Sequence, residues 1–209
     1  MPTDAAPAPA RAPINRRTVE ARRTQIAEAA LRCLQQVGHS GLTARKVAAE
    51  AGISLGHISY HYKDMGAVLQ AAFALAADQV QAAGRAQDGL RGGTPTERLD
   101  RFLRAGFTLD LLTPAHLRLR VDLWSAALTE PGVAEVERTL YNSHRAAVEA
   151  LLTRMAADYA IDRVPVVADM IMATLDGLWL DWLRRGDAAA VKNGLDGCVL
   201  FARLRLGGS

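Results

Sequence analysis

The sequence predicts an all-α fold in which a small amino-terminal head of three helices precedes a larger helical body. Half of the 209 residues are hydrophobic and only 5% are aromatic, and the abundant Ala, Leu and Arg favour helices. Apolar residues recur every three or four positions along most of the chain, as they do on one face of a helix. The alternating pattern typical of strands is nearly absent.

The first helix follows a segment that is rich in Pro and Ala. Residues 1–16 contain few bulky side chains, and we predict that they form a disordered tail. Downstream, one helical face is predicted to end at Gly38. This face consists of Ile26, Ala27, Ala30, Leu31, Leu34 and Val37.

Two short helices are predicted next. Thr43 is a suitable N-cap for a helix over residues 44–51, which Gly52 would end. Ser54 is a suitable N-cap for another helix that extends to Tyr62. Two short helices joined through a Gly form the helix-turn-helix pattern.

The rest of the chain is predicted to be helical, with one long loop. Asp64 would cap a fourth helix that packs on the head and links it to the body. The stretch Ala83–Pro95 is predicted to be a Gly-rich loop. Further helices are predicted at about 97–112, from Pro114, from Pro131 to about residue 160, at 165–185 and at 188–206.

The last two predicted helices are unusually apolar. Residues 165–185 are apolar almost all the way round, and residues 188–206 add apolar side chains at helical spacing. A lone surface helix would not have this pattern, which indicates half of a four-helix dimer interface. Helices buried inside a monomer would show the same pattern, so that alternative stays open.

Positive charge is concentrated at the front of the chain. Residues 1–65 contain nine Arg and Lys against five Asp and Glu, a net charge of +4, whereas residues 66–209 contain 16 basic and 17 acidic residues, a net charge of −1. This asymmetry favours a front part that meets a polyanion, because phosphates attract Arg and Lys. An ordinary solvated surface would have the same composition.

Cysteine content and hydropathy suggest the compartment. Cys33 and Cys198 are too far apart to suggest a disulfide framework or a thiolate metal cluster, and we interpret both as core residues. No continuous apolar stretch suits a signal peptide or a membrane span. We therefore expect a cytoplasmic protein without a membrane partner.

The head carries a long set of residues that point to a family. Residues 22–73, RRTQIAEAALRCLQQVGHSGLTARKVAAEAGISLGHISYHYKDMGAVLQAAF, resemble the TetR family of bacterial repressors. Within that family, GISLGHISYHY and the run LDGLWL at 175–180 are similar to the choline-responsive BetI type. The family usually has a Lys at the start of the fourth helix, where this chain has Met65, and Lys63 is the candidate replacement.

The resemblance implies a domain organisation and a function. It implies a DNA-binding domain over residues 17–64, a linking helix over 65–82, and a ligand-binding and dimerisation domain over 83–209. The implied function is that of a ligand-responsive, sequence-specific repressor that binds double-stranded operator DNA as a homodimer and is released by a small effector. A non-specific DNA-binding or scaffolding dimer without an effector is the alternative.

The resemblance also implies which head residues contact DNA. The third helix would enter the major groove, with its first residues at the base edges. Base-reading positions are Arg45, Leu55, Gly56 and His57, and residues around them that cap helices or face phosphates are Thr43, Lys46, Ser54, Ser59, Tyr60, His61 and Lys63. The Arg-rich residues 16–23 would add backbone or minor-groove contacts, or form only a solvated charge run.

The sequence of the head allows two other interpretations. His57 and His61 are four residues apart on a helix, as metal ligands can be, but no third ligand is evident in the sequence, so we predict no metal. A helix-turn-helix that binds protein rather than DNA is the second alternative.

The body contains the aromatic and acidic residues expected of a cation site. Aromatic boxes with a carboxylate bind quaternary ammonium groups, so a choline-like effector fits the resemblance, and other cations such as polyamines stay open. The candidate ligand-binding residues are Phe107, Asp122, Trp124, Tyr141, Asp176 and Trp179. Alternatively, the aromatic residues are core and the acids pair with Arg118 or Arg120.

Nothing in the sequence favours catalysis. It contains no Gly-rich phosphate loop, no HExxH motif and no nucleophile elbow, although His116, Ser143 and His144 are present. We therefore predict a protein that is not an enzyme, with no catalytic residues and no cofactor.

Overall fold

The computed structural model describes residues 16–88 and 92–207, with side chains described over 18–79 and 92–207. These ranges contain helices and turns and no strand, which confirms the all-α prediction. The helices are α1 Arg16–Val37, α2 Ala44–Ala51, α3 Leu55–His61, α4 Met65–Asp88, α5 Pro95–Ala105, α6 Pro114–Ala127, α7 Pro131–Met155, α8 Val164–Arg185 and α9 Ala188–Leu206, with 3-10 turns at His39–Gly41 and Asp158–Arg163. Because α1 begins at Arg16, the predicted tail lies outside the described residues except for its last residue.

The structure confirms the predicted ends of α2 and most of the predicted apolar face of α1. The Thr43 hydroxyl accepts the backbone N–H of Lys46 at 3.3 Å, so Thr43 caps α2 as predicted. Gly52 ends α2 with a left-handed φ of 65°, a conformation that suits Gly. Along α1 the predicted apolar face is buried except at Val37, which is the last residue of the helix and is exposed.

Ser54 does not cap α3 as predicted. Its backbone has the extended conformation of a cap, but its side chain accepts no backbone N–H. The hydroxyl instead lies 2.8 Å from the Nδ1 atom of His57, one turn into α3. The imidazole therefore competes for the oxygen that would otherwise have satisfied the helix end.

Helix α4 is longer than predicted. Asp64 Oδ1 accepts the backbone N–H of Ala67 at 2.8 Å, which confirms the predicted cap. The helix then continues to Asp88, so residues 83–88 are helical where a loop was expected. A single Gly84 among Ala, Gln and Arg costs too little to stop a helix.

The body helices differ from the prediction at their ends. Helix α5 occupies residues 95–105 rather than 97–112, because Thr94 and Glu97 form a capping box before it and Gly106 follows it. Helix α7 ends at Met155 rather than near residue 160, since the chain turns extended at Ala156 and then enters a 3-10 turn.

The described residues form two hydrophobic cores. The first joins α1–α4 and contains Phe73, but it also includes Leu119, Leu123 and Ala126 of α6 and Val133 of α7. The second joins α5, α7, α8 and α9. Helix α6 thus contributes three residues to the core of the head, while another of its faces packs on α7 and α8 of the body.

The two outer helices, α8 and α9, each bury one side. Residues Val167, Ile171 and Leu175 of α8 are buried, as are Cys198 of α9 and Cys33 of α1, which confirms that both cysteines are core residues. No helix in the described ranges is both long and apolar enough to cross a membrane.

Candidate functional site

The candidate DNA-binding residues lie on the outer surface of α2 and α3. Ten of the eleven are exposed and His61 is half-buried. Helix α3 buries Ile58 inwards and presents Leu55 and Tyr60 outwards, with 44% and 65% of their surfaces exposed. Large apolar side chains that face solvent on a seven-residue helix are available for contact with a partner. The exposed or half-exposed set is Thr43, Arg45, Lys46, Ser54, Leu55, Gly56, His57, Ser59, Tyr60, His61 and Lys63.

Gly56 leaves an open space on this surface. A Cβ built there would meet only the Ser54 hydroxyl, at 4.0 Å. Packing within the chain therefore does not require Gly at this position. The absence of a side chain at Gly56 would instead allow the backbone of a partner molecule to approach this helix closely.

Contacts within the chain hold several of these side chains. Lys46 Nζ donates to the carbonyl of Gly41 at 3.0 Å, which directs it towards the amino-terminal end of α2. The Ser54 hydroxyl and His57 are hydrogen-bonded to each other, as described above. Among the described residues, the exposed Arg45 guanidinium forms no ion pair or hydrogen bond and is free to reach a partner.

A brace between α1 and α3 uses one of the arginines expected to contact DNA. Arg23 Nη1 donates to the carbonyl of His61 at 2.6 Å, and its guanidinium lies 4.4 Å from the centre of the Tyr62 ring. The Tyr62 hydroxyl donates in return to the carbonyl of Arg23 at 3.0 Å. Arg23 thus positions the end of α3, a role that the sequence did not predict.

A groove of about 470 Å³ runs between the start of α1 and α3. Burial lowers the pKa of His61 from its usual value, and His57, Arg22 and Arg23 lower it further. His61 is therefore mostly neutral at pH 7, and Arg22 contributes positive charge to the groove. Its lining residues are Thr18, Val19, Arg22, Ser54, Gly56, His57, Tyr60 and His61.

In the body, aromatic rings gather around an arginine of α6. The guanidinium of Arg120 lies 5.3 Å from the centre of the Trp124 ring and 5.2 Å from that of Trp179. Its Nη2 atom donates to Asp176 Oδ1 at 3.3 Å. The cation within the expected aromatic box is therefore the chain's own Arg120, as the alternative pairing of Asp176 with Arg120 predicted.

Further rings extend this cluster. Phe107 stacks on Trp179 with ring centres 4.8 Å apart, and His116 lies 5.2 Å from the same ring. Phe102 stacks on His144 at 5.0 Å. Burial followed by the charge of Arg120 lowers the pKa of both histidines, so both are neutral at pH 7.

A third acid, Glu137, belongs to the same cluster. Burial raises the pKa of its carboxyl group, and the nearby Asp176 raises it further, whereas Arg120 and a hydrogen bond from Trp124 lower it. Glu137, Tyr141 and His144 follow each other on α7 at spacings of four and three, which places them on one face of that helix.

The structure gathers four of the six candidate ligand residues and separates Asp122. Trp124, Asp176 and Trp179 lie against Arg120, and Phe107 stacks on Trp179. Tyr141 lies on the α7 face that carries Glu137. Asp122 faces the head instead. It lies two residues after Arg120, and two residues correspond to a rotation of about 200° around the helix axis, so the two side chains lie on nearly opposite faces of α6. Sequence reasoning missed Glu137, His116 and His144 as site residues and considered Arg120 only as an ion-pair partner. Their spacing on α6 and α7 was the available signal.

Asp122 and Arg118 connect α6 to the end of α1. Asp122 Oδ2 accepts the backbone N–H of His39 at 2.8 Å. Arg118 Nη1 donates to the carbonyl of Gln36 at 3.1 Å, which satisfies the carboxy-terminal end of α1. Gly38 lies between them with a φ of 72°, and a Cβ there would be 3.3 Å from Asp122 Oδ2.

Family models match both parts of this architecture. The model described as bacterial regulatory proteins, tetR family, matches residues 26–72. The model described as BetI-type transcriptional repressor, C-terminal, matches residues 95–196. The first range contains α2 and α3 with parts of the flanking helices α1 and α4, and the second contains the whole Arg120 cluster.

Similar proteins and structures give the same result. The HTH-type transcriptional regulator BetI of Burkholderia mallei is 27% identical over 180 residues, which cover 84% of this chain and 89% of that protein. BetI of Paraburkholderia phymatum is 28% identical over 180 residues, with 84% and 88% covered. The crystal structure of a putative transcriptional regulator from Pseudomonas aeruginosa PAO1 has a TM-score of 0.77 at 28% identity and covers 90% of this chain and 92% of its own.

Two further solved structures contain ligands. The multidrug binding protein EbrR, complexed with imidazole, has a TM-score of 0.62 at 27% identity, with 85% of this chain and 94% of that chain covered. A transcriptional regulator from Saccharomonospora viridis in complex with choline shares the fold, with a TM-score of 0.71 at 20% identity and coverage of 87% and 95%. The chain thus belongs to the TetR family of bacterial regulatory proteins, with a carboxy-terminal domain of the BetI-type transcriptional repressors.

Proposed function

We propose that the protein binds operator DNA as a homodimer through α2 and α3 and is released when a small effector binds beside Arg120. The observation that carries this proposal is the position of α6. Its Arg118 and Asp122 contact the head, while its Arg120 and Trp124 lie in the body cluster. A ligand that moves α6 in the body would therefore also move the contacts of α6 with the head.

On DNA, α3 would lie in the major groove. Arg45 would reach a guanine edge, Leu55 a thymine methyl group, and Gly56 would allow the helix to approach closely. His57 completes the base-reading set. The remaining candidates, Thr43, Lys46, Ser54, Ser59, Tyr60, His61 and Lys63, would position the head on the phosphates. The exposure of this set supports the assignment.

The homodimer would form through the outer faces of α8 and α9. Both faces carry exposed residues at spacings of four, three and four, the pattern of a helical contact seam, and all of them except Asn193 are small or apolar. A Cβ built at Gly177 or at Gly197 meets nothing within 4 Å, so a partner helix can come close. These positions are Val166, Met170, Ala173 and Gly177 on α8, and Asn193, Gly197, Leu200 and Leu204 on α9.

Dimerisation would set the operator geometry. The two recognition helices must be about 34–36 Å apart to enter successive major grooves on one side of the DNA. An effector that changes this separation lowers the affinity for the operator without touching DNA. A DNA partner also implies a location in the cytoplasm, and we assign no catalytic activity, cofactor or membrane partner.

The proposal is tested by titrating the purified protein against DNA that flanks its own gene, with excess random competitor DNA. We expect one discrete complex on a specific fragment, and its release by a small ligand from a set containing choline, betaine aldehyde and polyamines. Equal, salt-sensitive binding to every fragment would contradict operator recognition and favour the non-specific scaffolding alternative.

A further inference from the structure

We infer that Ser54 sets the base specificity of His57. The Ser54 hydroxyl donates a hydrogen bond to His57 Nδ1, so the ring keeps its proton on Nε2 and presents a donor to a guanine edge. This inference rests on the proposed operator binding and deepens it, because it specifies the base that His57 selects. Ser54 is then a positioning residue that acts through His57 and contacts no base itself.

Ser54 and His57 are paired through both their backbones and their side chains. The backbone N–H of His57 donates to the carbonyl of Ser54 at 3.0 Å, and Ser54 Oγ lies 2.8 Å from His57 Nδ1. Ser54 has the extended backbone of an N-cap, yet its side chain accepts no backbone N–H. Both residues are exposed, so this pairing is not enforced by a surrounding core. It holds the imidazole in one orientation before DNA binds, which reduces the cost of ordering the ring in the complex.

The surroundings of Nδ1 favour the hydroxyl as the donor of this bond. The first backbone N–H groups of a helix have no acceptor within the helix and give that end a positive potential. Because His57 Nδ1 lies against Ser54 at the start of α3, a lone pair on Nδ1 is favoured there over another N–H group. The neutral ring then carries its single proton on Nε2. The only hydroxyl proton of Ser54 is used in this bond, which leaves its backbone N–H for the phosphate contact proposed above.

The other ring nitrogen of His57 is available to DNA. Among the side chains that the structure describes, His57 forms a hydrogen bond through Nδ1 and none through Nε2. The preceding residue, Gly56, has no side chain that could hold the ring away from a base. His61, one turn further along α3, is half-buried, and its ring lies edge-on to that of Tyr60 with ring centres 4.9 Å apart. Of the two histidines of α3, His57 is therefore the one that can present a donor to the bases.

A donor on Nε2 selects among the base edges of the major groove. Guanine presents two neighbouring acceptors there, O6 and N7, whereas cytosine presents an amino donor. Adenine N7 has an amino donor beside it and thymine O4 has a methyl group beside it, so each offers a single acceptor. An imidazole with its proton on Nε2 therefore pairs best with guanine and is rejected by cytosine. The opposite tautomer, with a bare Nε2, would reverse this preference, so the bond from Ser54 decides which base is selected.

Nitrogen NMR of the full-length protein, labelled at its histidines, tests the hydrogen bond directly. The chain has five histidines, and His57→Ala identifies the ring signals of His57 by their loss. We expect the neutral ring of His57 to carry its proton on Nε2 at about pH 8. Ser54→Ala should raise the fraction of the tautomer with its proton on Nδ1. Ser54→Thr keeps a hydroxyl and should preserve the tautomer of the unaltered protein.

Sequencing of the duplexes that the protein selects from a randomised library measures its base preference at each position. The unaltered protein should prefer guanine at one base pair of each half-site, and His57→Ala should lose that preference. Ser54→Ala should lower it about threefold to tenfold at the same base pair and leave the other positions unchanged, and Ser54→Thr should restore it. Ser40→Ala is the matched control, because Ser40 is an exposed serine of the head outside the candidate DNA-binding set, and it should leave every preference unchanged.

A ring proton on Nδ1 of His57 in the unaltered protein would overturn the inference, as would a guanine preference that persists in Ser54→Ala. Equal losses at every position in Ser54→Ala would overturn it too, since a merely structural role would give that result. Circular dichroism shows whether each variant keeps its helices, and the tautomer and base preference of Ser54→Thr test the same bond with the hydroxyl present. A selected sequence whose His57-dependent base is not guanine refutes only this inference, whereas a library that yields no preferred sequence refutes the proposed function itself.

Discussion

The backbone N–H of His39, just after α1, donates a hydrogen bond of 2.8 Å to the carboxylate of Asp122 in α6. This bond joins the DNA-binding head to the helix that carries Arg120. Asp122 is half-buried, and the acceptor is charged, so the bond belongs to the stronger class.

Replacement of Asp122 by Ala should destabilise the protein. We expect the free energy of unfolding in urea to fall by about 1–2 kcal/mol, because the His39 N–H loses its acceptor. Asp122→Asn keeps an acceptor oxygen and should lose less. Asp110→Ala is the control, since Asp110 is exposed in the segment before α6. Equal losses in Asp122→Ala and Asp110→Ala would show that the bond contributes nothing.

Gly56→Ala should separate stability from DNA binding. Ala favours the helix over Gly by about 0.5–1 kcal/mol, and the structure leaves space for the methyl group. The free energy of unfolding should therefore rise slightly. Operator affinity should fall about tenfold, the order of one lost base contact. Anisotropy titrations with operator and random DNA measure this loss, and unchanged operator affinity would contradict close approach at Gly56.

Arg45→Ala should weaken operator binding by about 1–3 kcal/mol while affinity for random DNA changes little. The reason is that a base contact contributes only on the correct sequence. Lys63→Ala provides the contrast, because loss of a phosphate contact should weaken both complexes and lower the salt dependence. Equal losses on both DNAs for Arg45→Ala would remove it from the base-reading set.

Leu204→Glu should convert the dimer to a folded monomer. Leu204 is 74% exposed on α9, so a charge there is harmless to the single chain but costly within a dimer seam. Light scattering after size-exclusion chromatography measures the mass. Leu109→Glu, an exposed Leu before α6, should stay dimeric. A dimer that survives Leu204→Glu would place the interface elsewhere.

Stability should fall as the pH is lowered from about 7.5 to 5.5. Burial lowers the pKa of His61, His116 and His144 in the folded protein, so the unfolded chain takes up protons first as the pH passes below about 6.5. Protons bound preferentially by the unfolded state reduce the free energy of unfolding. Urea titrations at the two pH values measure the difference, and an equal stability at both would contradict it.

Glu137 acts in the opposite direction. Burial raises the pKa of its carboxyl, so the folded protein takes up that proton first and gains stability as the pH falls. Glu137→Gln should therefore remove a gain in stability that appears as the pH falls towards the ordinary carboxyl pKa of about 4.3. His144→Gln should make the loss between about pH 7.5 and 5.5 shallower, and urea titrations over both ranges measure the two effects.

Features that depend on residues close together in the sequence were predicted from it. Helical spacing located the helices, and the caps at Thr43 and Asp64 follow from contacts within a few residues. The predicted Gly-rich loop over Ala83–Pro95 was wrong at residues 83–88, because the helix formers around Gly84 outweigh a single glycine. Ser54 failed as a cap because His57 offered its hydroxyl another partner.

Contacts between distant helices were harder to predict. The sequence of α6 shows an acid and a tryptophan, but it does not show that Asp122 contacts the end of α1 or that Trp124 lies beside Arg120 and Glu137. Glu137 joins the cluster because α7 packs on α6 and α8. Its spacing to Tyr141 and His144 marks a shared face of α7 but not which helices that face contacts. Arg120 in the aromatic box has the same origin, since the ring of Trp179 comes from a helix more than fifty residues away.

The shared core has a consequence for chimeras and truncations. Leu119, Leu123 and Ala126 of α6 and Val133 of α7 are buried against the head. A fragment that stops after α4 would lack these side chains and expose the apolar surface that they cover, which favours aggregation. Heads of relatives therefore cannot be exchanged at the boundary between α4 and α5 alone, and a transplanted head must bring its own matching residues on α6.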